Sequence, residues 1–289
     1  MAKRVAKRAK AHVQDEMLPE VPTSSPAEPP SAEEYENHCD PVALPTEFSE
    51  LMTDADKQRI LLFGPPKIGK STLASQFPKS IILDADDGYR WLRVKKIKIV
   101  KWAEVLDVGG QLQHAQDEGR DLGYRTIVFD SVESLYDMCF RYACVINKMD
   151  HPSDKPYGQG WQLIAEEFST VVRAFTMMGL GVIFISNSDH KTVTDEFGKE
   201  VTIEQPRLPK AAEKAIGFLC DLILKMEVDR TVLNKAGDFT NRVLLPKSNP
   251  FSATGSRMSQ LLDGRINATY KDLHQALKNA AVRICKERE

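Results

Sequence analysis

The sequence lacks the features that mark a disulfide-stapled, zinc-binding or membrane-spanning chain. Its five cysteines are an odd number with no Cys-x-x-Cys pair, which argues against a disulfide framework and the common zinc motifs. No apolar run approaches the roughly 18–20 residues that a membrane-spanning helix needs. The basic start, MAKRVAKRAKAH, lacks the apolar stretch of a secretory signal. We therefore expect a reduced, cytoplasmic protein with no membrane contact.

The chain also lacks a strong excess of charge. Its formal net charge is -2 over 289 residues, so the protein as a whole does not attract nucleic acid or an anionic membrane. Any polyanion must therefore bind to a local patch. The apolar fraction of 42% and the charged fraction of 28% are ordinary for a soluble globular domain.

Residues 1–45 are predicted to be a disordered tail. The first ten carry five basic residues, and the acidic stretch from Asp15 to Asp40 is rich in Pro, Ser and Ala. Such a segment cannot bury enough apolar surface to offset the entropy lost on ordering. The remaining residues, 46–289, are predicted to form a single domain.

From Arg59 onward, short apolar runs alternate with amphipathic stretches, which predicts an α/β fold. The predicted strands are RILLFG, SIILDA, IKIVKW, RTIVFDS, GVIFISNS, DLILKMEV and RVLLP, and a polar, hairpin-like segment, HKTVTDEFGKEVTIEQPRLPK, follows the fifth. Nearly continuous apolar strands separated by helices indicate a mostly parallel sheet with helices on both faces.

A glycine-rich segment between the first strand and the first helix is the strongest motif. Gly64-x-x-x-x-Gly69-Lys70-Ser71 is a P-loop pattern, whose backbone N–H groups surround phosphates while the lysine contacts the β- and γ-phosphates and the serine hydroxyl binds Mg²⁺. The pattern therefore predicts a site for ATP and Mg²⁺. The predicted nucleotide-binding residues are Gly64, Pro65, Pro66, Lys67, Ile68, Gly69, Lys70, Ser71 and Thr72.

Polar residues that end other strands supply the remaining candidates. Asp130 ends RTIVFDS and is predicted to bind the metal with Ser71. Three carboxylates, Asp84, Asp86 and Asp87, end the second strand, and we expect Asp86 to act as general base on the attacking water. We expect Asn187, rather than His190, to sense the γ-phosphate at the end of GVIFISNS.

These blocks, taken in order, resemble phage ATP-binding proteins with a RecA-like core, a group that includes single-strand annealing recombinases. The resemblance covers about residues 59–277 and is carried by GPPKIGKSTLASQFPKSIILDADDG, RTIVFDSVESLYD, YGQGWQLIAEEF and GVIFISNS. It places Asp86 where relatives carry a catalytic glutamate, one methylene longer, and Asn187 at the γ-phosphate sensor. It implies that Arg257, in FSATGSRMSQLL, is an arginine finger presented to the ATP of a neighbouring subunit.

The resemblance also implies partners. Segments His151–Gly160 and His190–Lys210 correspond to mobile loops that face DNA. The implied role is ATP-driven annealing or strand exchange on single-stranded DNA by a ring or filament of subunits, with a single-strand binding protein as a further partner. The alternative is a regulatory or assembly ATPase that switches a protein partner, which the net charge and the few loop aromatics favour. A small-molecule kinase is disfavoured because no lid or arginine cluster is recognisable.

Overall fold

The structure is a computed structural model, and it describes residues 44–194, 198–231, 241–247, 252–258 and 264–286. The chain divides into two compact units, Met1–Ser49 and Glu50–Glu289, and all described helices and strands lie in the second. The predicted disordered tail falls outside the described residues except for its last two positions. The predicted domain boundary at residue 46 stays a prediction.

The second unit is built on a ten-stranded sheet. Its strands are β1 (Arg59–Gly64), β2 (Ser80–Asp84), β3 (Lys95–Lys98), β4 (Thr126–Asp130), β5 (Gly181–Thr194), β6 (Glu200–Pro206), β7 (Leu222–Val228), β8 (Arg242–Leu245), β9 (Gly255–Ser256) and β10 (Ile266–Asn267). The order along the sheet is β10-β8-β7-β1-β5-β4-β2-β3, with β6 paired to β5 and β9 paired to β7. All neighbours from β7 to β3 run parallel.

Helices cover both faces of this sheet. They are α1 (Lys70–Ala74), α2 (Trp102–Asp117), α3 (Val132–Ile146), α4 (Gln159–Met177), α5 (Lys210–Leu219) and α6 (Tyr270–Lys286). One core cluster joins the sheet to α2, α3, α4 and α5, and a second joins its other face to α1 and α6. Every residue of β2 and β4 is buried, because parallel strands covered on both sides have no solvent face. The predicted fold class is confirmed.

The polar segment after the fifth strand is a paired β-hairpin. β5 continues beyond the parallel sheet to Thr194 and pairs antiparallel with β6, from Ser188 opposite Pro206 to Thr194 opposite Glu200. Consecutive β-branched residues in KTVT and EVTIE favour this extended pairing. The described part of the implied mobile loop, His190–Lys210, is therefore mostly a regular strand pair. Helix α5, which follows it, has no counterpart among the predicted elements.

Candidate functional site

The glycine-rich segment forms a tight loop at the carboxyl end of β1. Gly64 ends the strand, Lys70 begins α1, and Gly69 between them has a left-handed φ of 112° that favours glycine. Arg242 holds the loop from outside, since its Nε donates to the Ile68 carbonyl at 2.9 Å. The segment therefore has the strand–loop–helix context that a P-loop requires.

Lys70 is buried within this loop and faces only oxygen atoms. Its side chain is 7% exposed, and Nζ donates to the carbonyls of Gly64 at 2.8 Å and Pro65 at 2.9 Å, and to Asn187 Oδ1 at 3.1 Å. Burial lowers the pKa of Lys70, against the opposing charges of Asp130 and Glu133. A buried ammonium that faces neutral oxygens is a strong attractor for phosphate.

The two predicted metal ligands lie side by side. Ser71 Oγ donates to Asp130 Oδ2 at 2.7 Å, and Asp130 is 8% exposed. Burial raises the pKa of Asp130, while hydrogen bonding with Ser71 opposes the shift. Beside this pair lies Tyr89, which is 1% exposed and whose hydroxyl has no hydrogen-bond partner among the described residues. The charge of Asp130 contributes, after burial, to raising the pKa of Tyr89.

These residues fit Mg²⁺. An alcohol and a carboxylate are oxygen ligands of the type that magnesium takes, and the unpartnered Tyr89 hydroxyl can serve a hydrated ion or the carboxylate beside it. Across the described ranges, no three His, Cys, Asp or Glu side chains group into a metal cluster. Magnesium here would therefore be held by Ser71 and Asp130, with the other ligands coming from water and phosphate, as is common for this ion.

The three aspartates that follow β2 have different environments. Asp84 is buried and accepts from Lys96 Nζ at 2.7 Å, and Asp87 pairs with Arg90, so both are engaged in local structure. Asp86 is exposed and accepts from the Ser134 hydroxyl at 2.5 Å. Of the three, Asp86 is the one whose side chain contacts the start of α3.

Glu133 is a site residue that the sequence analysis missed. Its Oε1 accepts from the backbone N–H of Asn187 at 2.7 Å and from the Ser186 hydroxyl at 3.0 Å. Its Oε2 is buried and has no partner within the described chain. Burial raises the pKa of Glu133, hydrogen bonds from Asn187 and Ser186 oppose the shift, and the charge of Asp86 adds to it. The only sequence signal was an acid three residues after Asp130, which also suits a helix start.

Asn187 connects these groups. Its side chain accepts from Lys70, its backbone donates to Glu133, and it stands opposite Gly64 in the β1–β5 register. His190 is exposed, three residues further out, where β5 pairs only with β6. A cavity of about 480 Å³ beside Asn187 is lined by Asp86 and Glu133, among others. The structure thus brings five predicted residues (Lys70, Ser71, Asp86, Asp130 and Asn187) to one edge of the sheet.

Arg257 is not part of this group. Its Nη1 lies 3.4 Å from Asp221 Oδ1, and Asp221 also accepts from Arg59, the first residue of β1. Arg257 therefore lies at the amino end of β1, whereas the P-loop is at the carboxyl end. Six residues of strand separate the two edges by roughly 17–20 Å. Arg257 cannot reach the nucleotide site of its own chain.

The family model of the AAA domain matches residues 56–258, more than half of the chain, and its range includes every site residue described above. The chain belongs to the AAA domain family. It therefore has a nucleotide-binding ATPase domain of the P-loop type, and P-loop ATPases generally use ATP and Mg²⁺. No curated protein matches the chain significantly. Among the described helices of this AAA domain protein, none is long and apolar enough to cross a membrane.

Proposed function

We propose that this AAA domain protein hydrolyses ATP with Mg²⁺ and uses the nucleotide cycle to act on single-stranded DNA, in annealing or recombination. The proposal for DNA is carried by one observation, an exposed aromatic patch next to a compact turn segment. The proposal for ATP is supported by the family and by the Lys70–Asn187–Glu133 network.

The aromatic patch consists of Tyr157, Trp161, His151 and Phe140. Tyr157 is fully exposed and Trp161 is 49% exposed. The indole ring of Trp161 packs edge-on against His151 at 5.7 Å and tilted against Phe140 at 5.9 Å, which fixes its orientation. Bases stack on exposed aromatic rings with little sequence preference, which suits a protein that handles single strands.

The segment that carries the patch is held in place by short turns and close packing. Pro152–Asp154 and Pro156–Gly158 form short 3₁₀ turns, and Pro152 is buried. Gly160 packs so closely on Pro152 that an added Cβ would lie 2.2 Å from its carbonyl oxygen. Lys148 and Lys155 in the same stretch of chain can contact the phosphate backbone, and Asp150 and Asp154 balance their charge, so the aromatic rings carry the argument.

Filter binding of labelled single-stranded DNA, with and without ATP, tests the DNA role. Wild-type protein should bind in an ATP-dependent manner, and Tyr157→Ala with Trp161→Ala should weaken binding by about 1–3 kcal/mol per stacked base. Phe48→Ala, which removes another highly exposed aromatic ring, is the matched control and should bind normally. Absence of ATP-dependent binding at moderate salt would sink the DNA role while leaving the ATPase intact.

In the proposed reaction, the triphosphate takes Lys70 Nζ away from its three protein oxygens, and Ser71 and Asp130 hold the magnesium. Magnesium, when bound, neutralises phosphate charge and orients the γ-phosphoryl group. Asn187, relieved of Lys70, is then free to donate its side-chain amide to the γ-phosphate.

We further propose that subunits assemble head to tail, in a ring or filament. The support is the position of Arg257, 60% exposed at the sheet edge opposite the P-loop, from which it can reach only a neighbour's nucleotide. An arginine supplied from a second subunit typically accelerates phosphoryl transfer by roughly 10³–10⁵. Sedimentation with ATP and DNA should show assembly, and a protein that stays monomeric would refute this part.

A second candidate is a nucleotide-switched ATPase with a protein partner. It is favoured by Val145 and Ile146 near the end of α3, which are 76% and 60% exposed and so offer an apolar contact. Turnover unaffected by DNA, together with a partner captured only in one nucleotide state, would favour this function over the first.

A further inference from the structure

The carboxyl group of Glu133 has one oxygen fixed by the protein and one without a partner. Oε1 accepts two hydrogen bonds from the end of β5, whereas Oε2 is buried with no donor among the described residues. Buried polar atoms are nearly always hydrogen-bonded, since leaving one unpaired costs free energy. Oε2 therefore has no donor among the described residues and can accept a hydrogen bond from a bound group.

The position of Glu133 indicates what that group is. Asn187 receives Lys70 Nζ on its side chain and gives its backbone N–H to Glu133. Only Asn187 therefore lies between Glu133 and the Lys70 ammonium, the group expected to contact the γ-phosphate. Glu133 also lines the cavity of about 480 Å³ beside Asn187, which is large enough to admit water. The raised pKa of this buried carboxyl makes it a stronger proton acceptor than an exposed carboxylate.

Asp86, the base expected from the sequence, is held less suitably. Whereas Glu133 Oε2 is buried, Asp86 is exposed to bulk solvent. One of its oxygens already accepts a short hydrogen bond from Ser134. It carries a side chain one methylene shorter than a glutamate. The two carboxylates therefore share a cavity but differ in burial, which is how paired acids come to have different roles.

We propose that Glu133 is the general base of ATP hydrolysis. This inference rests on the proposed ATPase function and names the residue that activates water in it. Glu133 Oε2 takes a proton from water, the water oxygen forms a bond to the γ-phosphorus, and the bond from that phosphorus to the β,γ-bridging oxygen breaks. The bonding electrons leave on the ADP oxygen. The products are ADP and inorganic phosphate, and the proton passes from Glu133 to solvent.

The test compares full-length wild-type protein with three isosteric variants, Glu133→Gln, Asp86→Asn and Asp137→Asn. Two quantities are measured with Mg²⁺ present: the single-turnover rate of ATP hydrolysis, and the affinity for a fluorescent, non-hydrolysed ATP analogue. Glutamine keeps an oxygen acceptor for Asn187 and Ser186 but cannot take a proton. Asp137 lines the same cavity and is exposed, so its variant is matched for loss of charge.

We expect Glu133→Gln to lower the hydrolysis rate by about 10²–10⁴-fold, the usual contribution of a general base, with analogue affinity unchanged. Asp137→Asn should hydrolyse at the wild-type rate. If the glutamine variant fails to fold, Glu133→Asp provides the second test. Its carboxylate keeps the charge on a side chain that is one methylene shorter, so the variant should bind the analogue and hydrolyse ATP slowly. A normal rate in Glu133→Gln, or a greater loss in Asp86→Asn, would overturn the inference and leave the ATPase standing. A wild-type protein that binds no nucleotide would overturn both.

Discussion

Replacing Gly64 by alanine should distort the nucleotide site at the residue where the P-loop begins. A Cβ on this residue would lie 2.5 Å from the backbone oxygen of Met226, about 0.9 Å inside the 3.4 Å at which ordinary contact begins. Neither side can withdraw easily, because β1 and β7 are hydrogen-bonded in parallel, with Phe63 opposite Lys225. The loop must therefore shift by close to an ångström.

The expected cost has two parts. Overpacking of this kind reduces the free energy of unfolding by about 1–3 kcal/mol, and for a domain of this size each kcal/mol lowers Tm by about 2–4 °C. Misplacement of catalytic groups by about 1 Å can lower turnover by about 10²-fold. Differential scanning fluorimetry and a steady-state ATPase assay measure the two effects separately.

Gly110→Ala is the matched control for the same change of residue. Gly110 lies within α2, and an added Cβ there would meet nothing within 4 Å. Alanine should therefore raise stability by about 0.5–1 kcal/mol through helix propensity, with turnover unchanged. If Gly64→Ala matched this control in both Tm and turnover, the close approach between the P-loop and β7 would be irrelevant and the steric reasoning would be refuted.

Three further outcomes are expected. Lys70→Ala should abolish hydrolysis and weaken ATP binding in a titration, since Lys70 carries the buried ammonium of the P-loop and the other lysine of the loop, Lys67, is exposed; full turnover in this variant would contradict the P-loop assignment. Arg257→Ala should lower turnover but retain ATP binding, and mixing it with Glu133→Gln protein should restore some activity; a mixture no better than its parts would argue against an arginine acting between subunits. Burial raises the pKa of Glu133 above its ordinary 4.5, so the folded state holds the proton to higher pH than the unfolded chain does. The stability from this proton is complete below the ordinary pKa and is lost as pH rises through the raised one. As pH rises through that window, the free energy of unfolding of Glu133→Gln, measured by urea denaturation, should therefore increase relative to that of wild type. A difference between the two proteins that does not change with pH would contradict the raised pKa.

The sheet and the P-loop could be predicted because their signals are local. Each buried parallel strand is a short apolar run, and the loop pattern joins one such run to a helix. Ser71 and Asp130 could be expected to meet because they lie at the carboxyl ends of the parallel strands β1 and β4, which flank β5, and ligands bind at this edge in open α/β sheets. The observed 2.7 Å between their side chains agrees with that expectation.

The remaining site features depend on contacts that no local pattern encodes. Glu133 looks like an ordinary acid in the first turn of a helix, and its partner Asn187 is 54 residues away. Tyr89 follows an acidic turn and gives no sign that its hydroxyl is buried beside Asp130. For Arg257, the family resemblance implied a role at the ATP of a neighbouring subunit, and no local pattern showed that within its own chain it pairs with Asp221 at the edge opposite the P-loop.

β5 is one uninterrupted strand with two different halves. Up to Asn187 it is held between β1 and β4, and from Ser188 to Thr194 it pairs only with β6, which is itself tied at Glu204 to Ala253 and Lys225. Beyond His190, the residue opposite Glu204, the four-residue step to Thr194 makes an arm of roughly 13 Å, so a tilt of about 10° at its root would displace its tip by about 2 Å. Three residues before this arm, the Asn187 side chain accepts from Lys70 of the P-loop. Binding of a phosphate at Lys70 would thereby be converted into a movement of the hairpin tip, with no separate hinge required.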